Sequence, residues 1–287
     1  MQTRRLGRTE HHSSIAILGG VVFNFVDDEA AAGELLTRAL DAGINHLDIA
    51  PRYGSAEEKV GPHIAAVRDR LFISEKTTQS SYDGVRRHLD RTLTRFGVDS
   101  VDVYQLHGVT DVAELDRRAD AVRALQDAHS EGLCKWLGIT GHNTTTPVAQ
   151  REALRRYDFD TVMFPIYPRL WADADYRRDA EALLDEAAQR DVGVMVIKSA
   201  AARPWTSADG RSETTWYEPQ HDVDGVTRGV RFALSTPGVT GICTPGDKHV
   251  FELALQAALD FEPMTDDERS DAMAASNDDL IFPIPVA

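Results

Sequence analysis

Cysteine is scarce in this chain: Cys134 and Cys243 are the only two in 287 residues, and neither belongs to a CxxC or Cys/His cluster. That excludes a disulfide framework, a zinc ribbon and a cysteine-ligated iron–sulfur cluster, and makes a reducing compartment the default. No other metal site is indicated. Lysine is also scarce, 5 residues against 26 arginines, and acid outnumbers base by 46 to 31 for a formal net charge of −15. A chain of that sign is repelled by phosphate backbones and anionic membrane surfaces. The nearest approach to a basic patch, Arg86, Arg87, Arg91 and Arg95, is interleaved with Asp83, Asp90 and Asp99 and reads as a solvated helix face. Neither nucleic acid nor membrane is an expected partner. The excess of Asp (30) over Glu (16), with that of Arg over Lys, fits either a GC-rich genome or adaptation to high salt. Long apolar runs are absent too, none approaching the roughly 18 residues of a membrane span. Arg4, Arg5 and Arg8 before the apolar stretch Ile15 to Phe25 imitate a secretory signal, but Gly19-Gly20 interrupts the stretch and no small-x-small cleavage site follows closely. The expectation is a cytoplasmic protein.

What fills the chain is an alternation of strand-like and helical patterns. Strand runs fall at Ile15 to Leu18, Asn45 to Ile49, Leu71 to Glu75, Val101 to Leu106, Lys135 to Ile139, Thr161 to Phe164, Val192 to Ile197 and Val239 to Cys243. Between them lie amphipathic helices near Glu29 to Ala42, Ala56 to Arg68, Asp83 to Phe96, Val112 to Glu131, Pro147 to Arg156, Arg178 to Arg190 and Val223 to Leu234, with one more near His249 to Leu259. Strands that each return through a helix run parallel, and eight such units without a linker predict a single α/β domain over residues 1–287, a (β/α)8 TIM barrel. A doubly wound open sheet is the alternative. Outside the rhythm, Gln2 to Ser14 predicts an N-terminal β-hairpin that plugs the barrel, and residues 265–276 an extra C-terminal helix with Thr265 and Glu268 at capping-box spacing.

In such a barrel the reacting groups sit where strands run out into the following loops. The second strand ends near Asp48 with Tyr53 five residues on, the third in Glu75-Lys76, and the fourth in His107. Singly, a strand-end Asp is more often a cap and a lone His more often structural. Together they form an acid–base cluster. Lys76 against Tyr53 favours the phenolate and draws a solution pKa of about 10 downward, Asp48 anchors the ammonium, and His107 reaches a substrate oxygen.

This set, within Leu47-Asp48-Ile49-Ala50-Pro51-Arg52-Tyr53-Gly54 and followed by Glu57 or Glu58, resembles the aldo-keto reductase superfamily. The likeness extends from Arg5-Leu6-Gly7-Arg8-Thr9 to Thr244-Pro245-Gly246, and Asp48, Tyr53, Lys76 and His107 fall on family catalytic positions. It implies hydride transfer between NADP or NAD and a small carbonyl or alcohol substrate, such as an aldehyde, ketone or sugar, without a Rossmann glycine fingerprint; none occurs here.

The resemblance is weaker at the positions implied to bind the cofactor. The usual Ser-Asn pair after the fifth strand is replaced by Thr140-Gly141-His142-Asn143, leaving Thr140, His142 and Asn143 as candidates. The usual Gln falls at Met163, and the usual stacking aromatic at Lys198, followed by Ser199. After the eighth strand, Pro245, Gly246, Asp247, Lys248 and Glu252 match the phosphate and adenine segment, with the second Arg absent. Phe23, Trp171, Trp205 and Trp216, with Phe25 and Tyr217, are candidate walls of a substrate pocket, or else pack long loops together. Three classes stay open: an oxidoreductase, an isomerase or lyase using the same acid–base cluster, and a ligand-binding homologue.

Overall fold

The computed structural model describes residues 1–206, 211–276 and 279–282. The chain opens with an antiparallel hairpin, β1 (Thr3–Arg5) and β2 (His12–Ser14), with Thr3 opposite Ser14. Then come β3 (Ala16–Gly19), α1 (Glu29–Asp41), β4 (His46–Asp48), α2 (Ala56–Val67), β5 (Phe72–Thr77), α3 (Tyr82–Phe96) and β6 (Val101–Leu106). After α4 (Val112–Arg117) and α5 (Ala119–Ser130) the order is β7 (Cys134–Thr140), α6 (Thr146–Arg156), β8 (Thr161–Pro165), α7 (Pro168–Trp171), α8 (Ala174–Gln189) and β9 (Gly193–Ile197). A small antiparallel pair, β10 (Ala201–Arg203) and β11 (Glu218–Pro219), precedes α9 (Val223–Leu234), β12 (Gly241–Cys243), α10 (Lys248–Leu259) and α11 (Asp266–Ala274). Strands β3 to β9 pair in sequence order, all parallel, and β12 bonds both β9 and β3. The closed eight-stranded barrel excludes the open-sheet alternative.

The local signals act as their chemistry dictates. Ser81 caps α3 by accepting from the Gly84 amide, and Gly97 ends it at φ 62°. Thr265 and Glu268 form a complete capping box on α11. Two expectations change. The single helix near Val112 to Glu131 is two helices, because Arg118 leaves helical geometry to donate to the His107 carbonyl at 3.1 Å while pairing with Glu114. The helix expected near Arg178 starts at Ala174, since the Asp173 carboxylate accepts from the amides of Asp175 and Tyr176.

Apolar burial falls into two regions. Inside the barrel, Ile17, Phe72, Val103, Met163, Met195 and Cys243 form one apolar cluster with Leu6 from the hairpin turn, which closes the N-terminal end. A larger cluster fills the space between strands and helices. Leu6 is fully buried and lies against Gly193, where an added Cβ would come within 2.7 Å of it. Leu6→Ala is therefore expected to destabilise the fold by about 2–5 kcal/mol, read as a lower urea midpoint at unchanged slope. A midpoint equal to the wild type would show that the hairpin does not plug the barrel. No helix among the described residues is long and apolar enough to cross a membrane.

Candidate active site

The parallel register brings the C-terminal ends of the strands into one ring, and the site is built from residues at or just beyond those ends. Asp48 closes β4, Lys76 stands beside Gln105 across the β5–β6 ladder, and His107 follows β6. Tyr53 is carried on the loop after β4, whose shape is set from outside the barrel. The Asn24 side chain accepts from the Ser55 amide at 3.0 Å and presses on Gly54, where a Cβ would lie 2.1 Å from its Oδ1 and φ is +57°. Glu57, the buried acid that follows, takes hydrogen bonds from Thr92 at 2.7 Å and Arg95 at 2.6 Å and holds α2 to α3 away from the site.

The four predicted groups converge. Lys76 Nζ donates to the Asp48 carboxylate and, at 3.0 Å, to Tyr53 Oη; the Tyr53 and His107 rings meet edge to face at 5.8 Å. Gln105, which the sequence reading missed, donates to the other Asp48 oxygen at 3.3 Å. Period-two alternation from inward-facing Val103 would have identified it. Burial alone would lower the Lys76 pKa, but the Asp48 charge reverses this and holds the ammonium well above its ordinary value. The expectation for Tyr53 needs correcting: burial outweighs the pull of Lys76 and pushes the phenol up to about 12, so the neutral donor is the resting form. Burial and the nearby Lys76 charge press His107 well below the imidazole range.

A cavity over this cluster is lined by Asp48, Tyr53, His142, Met163, Lys198, Trp216, Tyr217, Cys243 and the Thr244-Pro245-Gly246 turn, with Gly19, Val21, Ile197, Thr214 and Thr215. Of the candidate cofactor residues, His142, Met163, Lys198, Pro245 and Gly246 thus share the wall. Asp247, Lys248 and Glu252 line an adjacent depression with Ser212, Glu213 and His249. Three candidates lie elsewhere. Thr140 is buried and accepts from the Gly108 amide at 3.2 Å, Asn143 accepts from the Thr144 amide at 2.8 Å, and Ser199 is buried facing Arg228 and Gln220 across a different cleft. Of the candidate substrate aromatics Trp216 and Tyr217 line the cavity. Phe23 and Trp171 are buried in the apolar core, and Trp205 uses its indole N–H to hold the Thr215 carbonyl at 2.9 Å, which fixes the loop carrying Trp216. Glu75, next to Lys76, falls on the opposite face of β5. Among the described residues no side chain hydrogen-bonds its buried carboxyl, and burial with the Glu57 charge raises its pKa well above the carboxylate range.

The chain is similar to L-glyceraldehyde 3-phosphate reductase of Escherichia coli, 29% identical over 199 residues that span 61% of this chain and 54% of that protein. It is also similar to 6-dehydroglucose reductase of Novosphingobium aromaticivorans, 33% identical over 129 residues covering 39% of this chain and 41% of that one. These matches take in only about half the length of the curated relatives. Among solved structures, an aldo-keto reductase from Bacillus halodurans in its holo form shares the fold with a TM-score of 0.73 at 20% identity, covering 96% of this chain and 97% of that one. The model of the Aldo/keto reductase family matches residues 17–244. That span runs from the first barrel strand to the turn after the last, and the chain accordingly belongs to the aldo/keto reductase family.

Proposed function

We propose that this protein exchanges hydride between a nicotinamide cofactor and the carbonyl or alcohol carbon of a small molecule, with Tyr53 moving the proton. The observation that carries the reading is the buried Asp48–Lys76–Tyr53 chain under an open cavity, with Lys76 Nζ 3.0 Å from Tyr53 Oη. A cluster serving enolisation would place a base beside the substrate carbon. Here Asp48, the only carboxylate lining the cavity among the described residues, is already bound by Lys76 and Gln105, and the phenol is a neutral acid. In the reducing direction Tyr53 gives its proton to the developing alkoxide, and the Lys76 charge stabilises the phenolate left behind.

The residues present fit an extended dinucleotide. The cavity over Tyr53 runs out past Thr244, Pro245 and Gly246 to the depression at Asp247 and Lys248, and glycine at 246 keeps the path open because a Cβ there would come within 2.1 Å of Val21. When bound, the nicotinamide supplies or removes the hydride. His142, Met163 and Lys198 stand at the Tyr53 end, and Lys248 and Glu252 at the far end. The two buried free thiols are consistent with a reducing, cytoplasmic setting. The test is oxidation of NADPH and NADH by the purified protein across an aldehyde and ketone panel that includes aldoses and triose phosphates, the substrate types for which two relatives are named. Absence of hydride transfer with every member would defeat the proposal.

The far end also bears on cofactor choice. The amides that begin α10 are already used: Asp247 Oδ1 accepts from His249 at 2.9 Å and Val250 at 3.1 Å, and Oδ2 accepts from Thr214 at 3.1 Å. A carboxylate thus stands at the helix N-terminus, where it repels a 2′-phosphate and leaves few donors for one. Glu252 is paired with Arg38. Only Lys248 attracts an anion among the residues of this depression named for it, so preference for NADPH over NADH is expected to be under about tenfold, less than about 1.4 kcal/mol. Fluorescence titration of both reduced cofactors at one ionic strength measures it, and a hundredfold preference would contradict the expectation.

A further inference from the structure

Among the described residues lining the cavity, Lys198 is the one charged group that the proton transfer above leaves unused. It is the first residue after β9, is buried, and lines the cavity together with Tyr53 and His142. Its φ of +67° is in the left-handed region that L-residues rarely adopt, so the chain holds this side chain in place against a backbone preference. Among the described residues its partners are neutral: His142 Nδ1 at 3.4 Å and the Tyr217 ring, whose centroid is 5.6 Å from Nζ. His142 in turn shares a hydrogen bond of 3.1 Å with His107 through their Nε2 atoms.

The charge balance of the cavity follows from these contacts. Asp48 and Lys76 neutralise one another, and burial keeps His107 and His142 neutral and Tyr53 protonated. Protonated Lys198 therefore leaves the cavity with one uncompensated positive charge. An unpaired buried ammonium is poorly solvated, and here desolvation brings its pKa down to about 7. The neighbouring walls, Val21, Met163, Ile197 and Trp216, are surfaces against which an apolar side chain would pack at no such cost. The missing component is an anion. We propose that Lys198 is an anion-recognition point of the active cavity, and that the substrate carries a carboxylate or phosphate in addition to its carbonyl. The substrate half of this statement rests on the reductase reading; the anion site does not.

The pH dependence has a defined sign. The groups around Lys198 are His142 and His107 from the β7 and β6 ends, Lys76, Asp48 and Tyr53 from β5, β4 and the loop after it, and Tyr217 and Cys243. Of these, His107 and His142 are neutral throughout the region near pH 7, and burial raises Tyr53, Tyr217 and Cys243, so Lys198 is the group that changes charge there. For an anionic substrate kcat/KM should be highest below about pH 7 and fall above it as Lys198 loses its proton; for a neutral aldehyde it should lack this inflection.

The binding test uses butanoate and butanamide, which differ mainly in charge, titrated calorimetrically into the full-length protein and its Lys198→Met and Lys198→Arg variants. Butanoate is expected to bind at least about tenfold more tightly than butanamide at pH 6, with the preference lost in Lys198→Met and partly kept in Lys198→Arg. The turnover test pairs glyoxylate with acetaldehyde, 4-oxobutanoate with butanal, and glycolaldehyde phosphate with glycolaldehyde, so that carboxylate and phosphate are read separately. In at least one pair Lys198→Met should lower the ratio of kcat/KM, anionic over neutral, by about 30-fold or more. Equal losses on both members of every pair would make Lys198 a positioning residue for His142 and overturn the proposal. So would equal affinity for butanoate and butanamide, or a variant that weakens NADPH but not NADH, which would assign Lys198 to the cofactor phosphate. A Lys198-dependent butanoate site without hydride transfer to any aldehyde would defeat the reductase reading while upholding the anion site.

Discussion

Replacing Tyr53 with Phe is expected to lower turnover at least about 10²-fold while leaving affinity for a reduced nicotinamide cofactor within a few-fold of the wild type. The substitution removes one oxygen and preserves the ring that packs on His107. That oxygen is the acid hydrogen-bonded by Lys76 at the cavity floor, and proton transfer from a positioned side chain typically contributes 10²–10⁴-fold. His107 is a poor substitute, since burial keeps it neutral and its Nε2 is already engaged by His142. Because burial places the phenol pKa at about 12, the donor is protonated over the whole neutral range, and kcat/KM for reduction of a neutral aldehyde should be flat there. Steady-state kinetics on one aldehyde, with cofactor binding measured separately, decide the matter. A Tyr53→Phe enzyme that turns over at the wild-type rate would remove Tyr53 from the mechanism.

The barrel was legible because short, near-continuous apolar runs of strands buried on both faces alternate with stretches whose apolar residues recur every three to four positions, and both patterns depend on local residues. The strand-end cluster was legible for a related reason: in a parallel barrel, position along the strand fixes which end a side chain reaches. What escaped reading depends on contacts between distant segments. Arg118 interrupts an otherwise continuous helical pattern because the His107 carbonyl, eleven residues earlier, takes its guanidinium. Phe23 and Trp171 belong to the same residue class as Trp216, yet the short helical turns that carry them face the core. The direction of the Tyr53 shift is not legible in the sequence, which displays the ammonium but not the burial that opposes it. Thr140 ends β7 and Asn143 lies just beyond it, as a loop cradle requires, but their side chains serve neighbouring backbone amides.

Lys76→Met is expected to cost as much turnover as Tyr53→Phe, and in addition to weaken the fold. Two separate consequences follow from one buried charge. Without the ammonium, the phenolate that forms as Tyr53 gives up its proton loses the hydrogen-bond donor that the described residues supply to it, and burial drives the phenol pKa further from neutrality. At the same time the Asp48 carboxylate loses its charged partner and keeps the weaker Gln105 and Cys243 contacts, and removing one partner of a buried ion pair generally costs about 3–5 kcal/mol. The double variant Asp48→Asn, Lys76→Met separates these effects. With the uncompensated carboxylate gone, it should recover most of the urea midpoint lost by Lys76→Met and little of the turnover. In the oxidising direction, where Tyr53 must accept a proton, the rising limb of the pH–rate profile should move to higher pH in Lys76→Met, since its base is harder to form. A profile that coincides with the wild type, or turnover that returns with stability in the double variant, would show that Lys76 supports the fold and takes no part in setting the acidity of Tyr53.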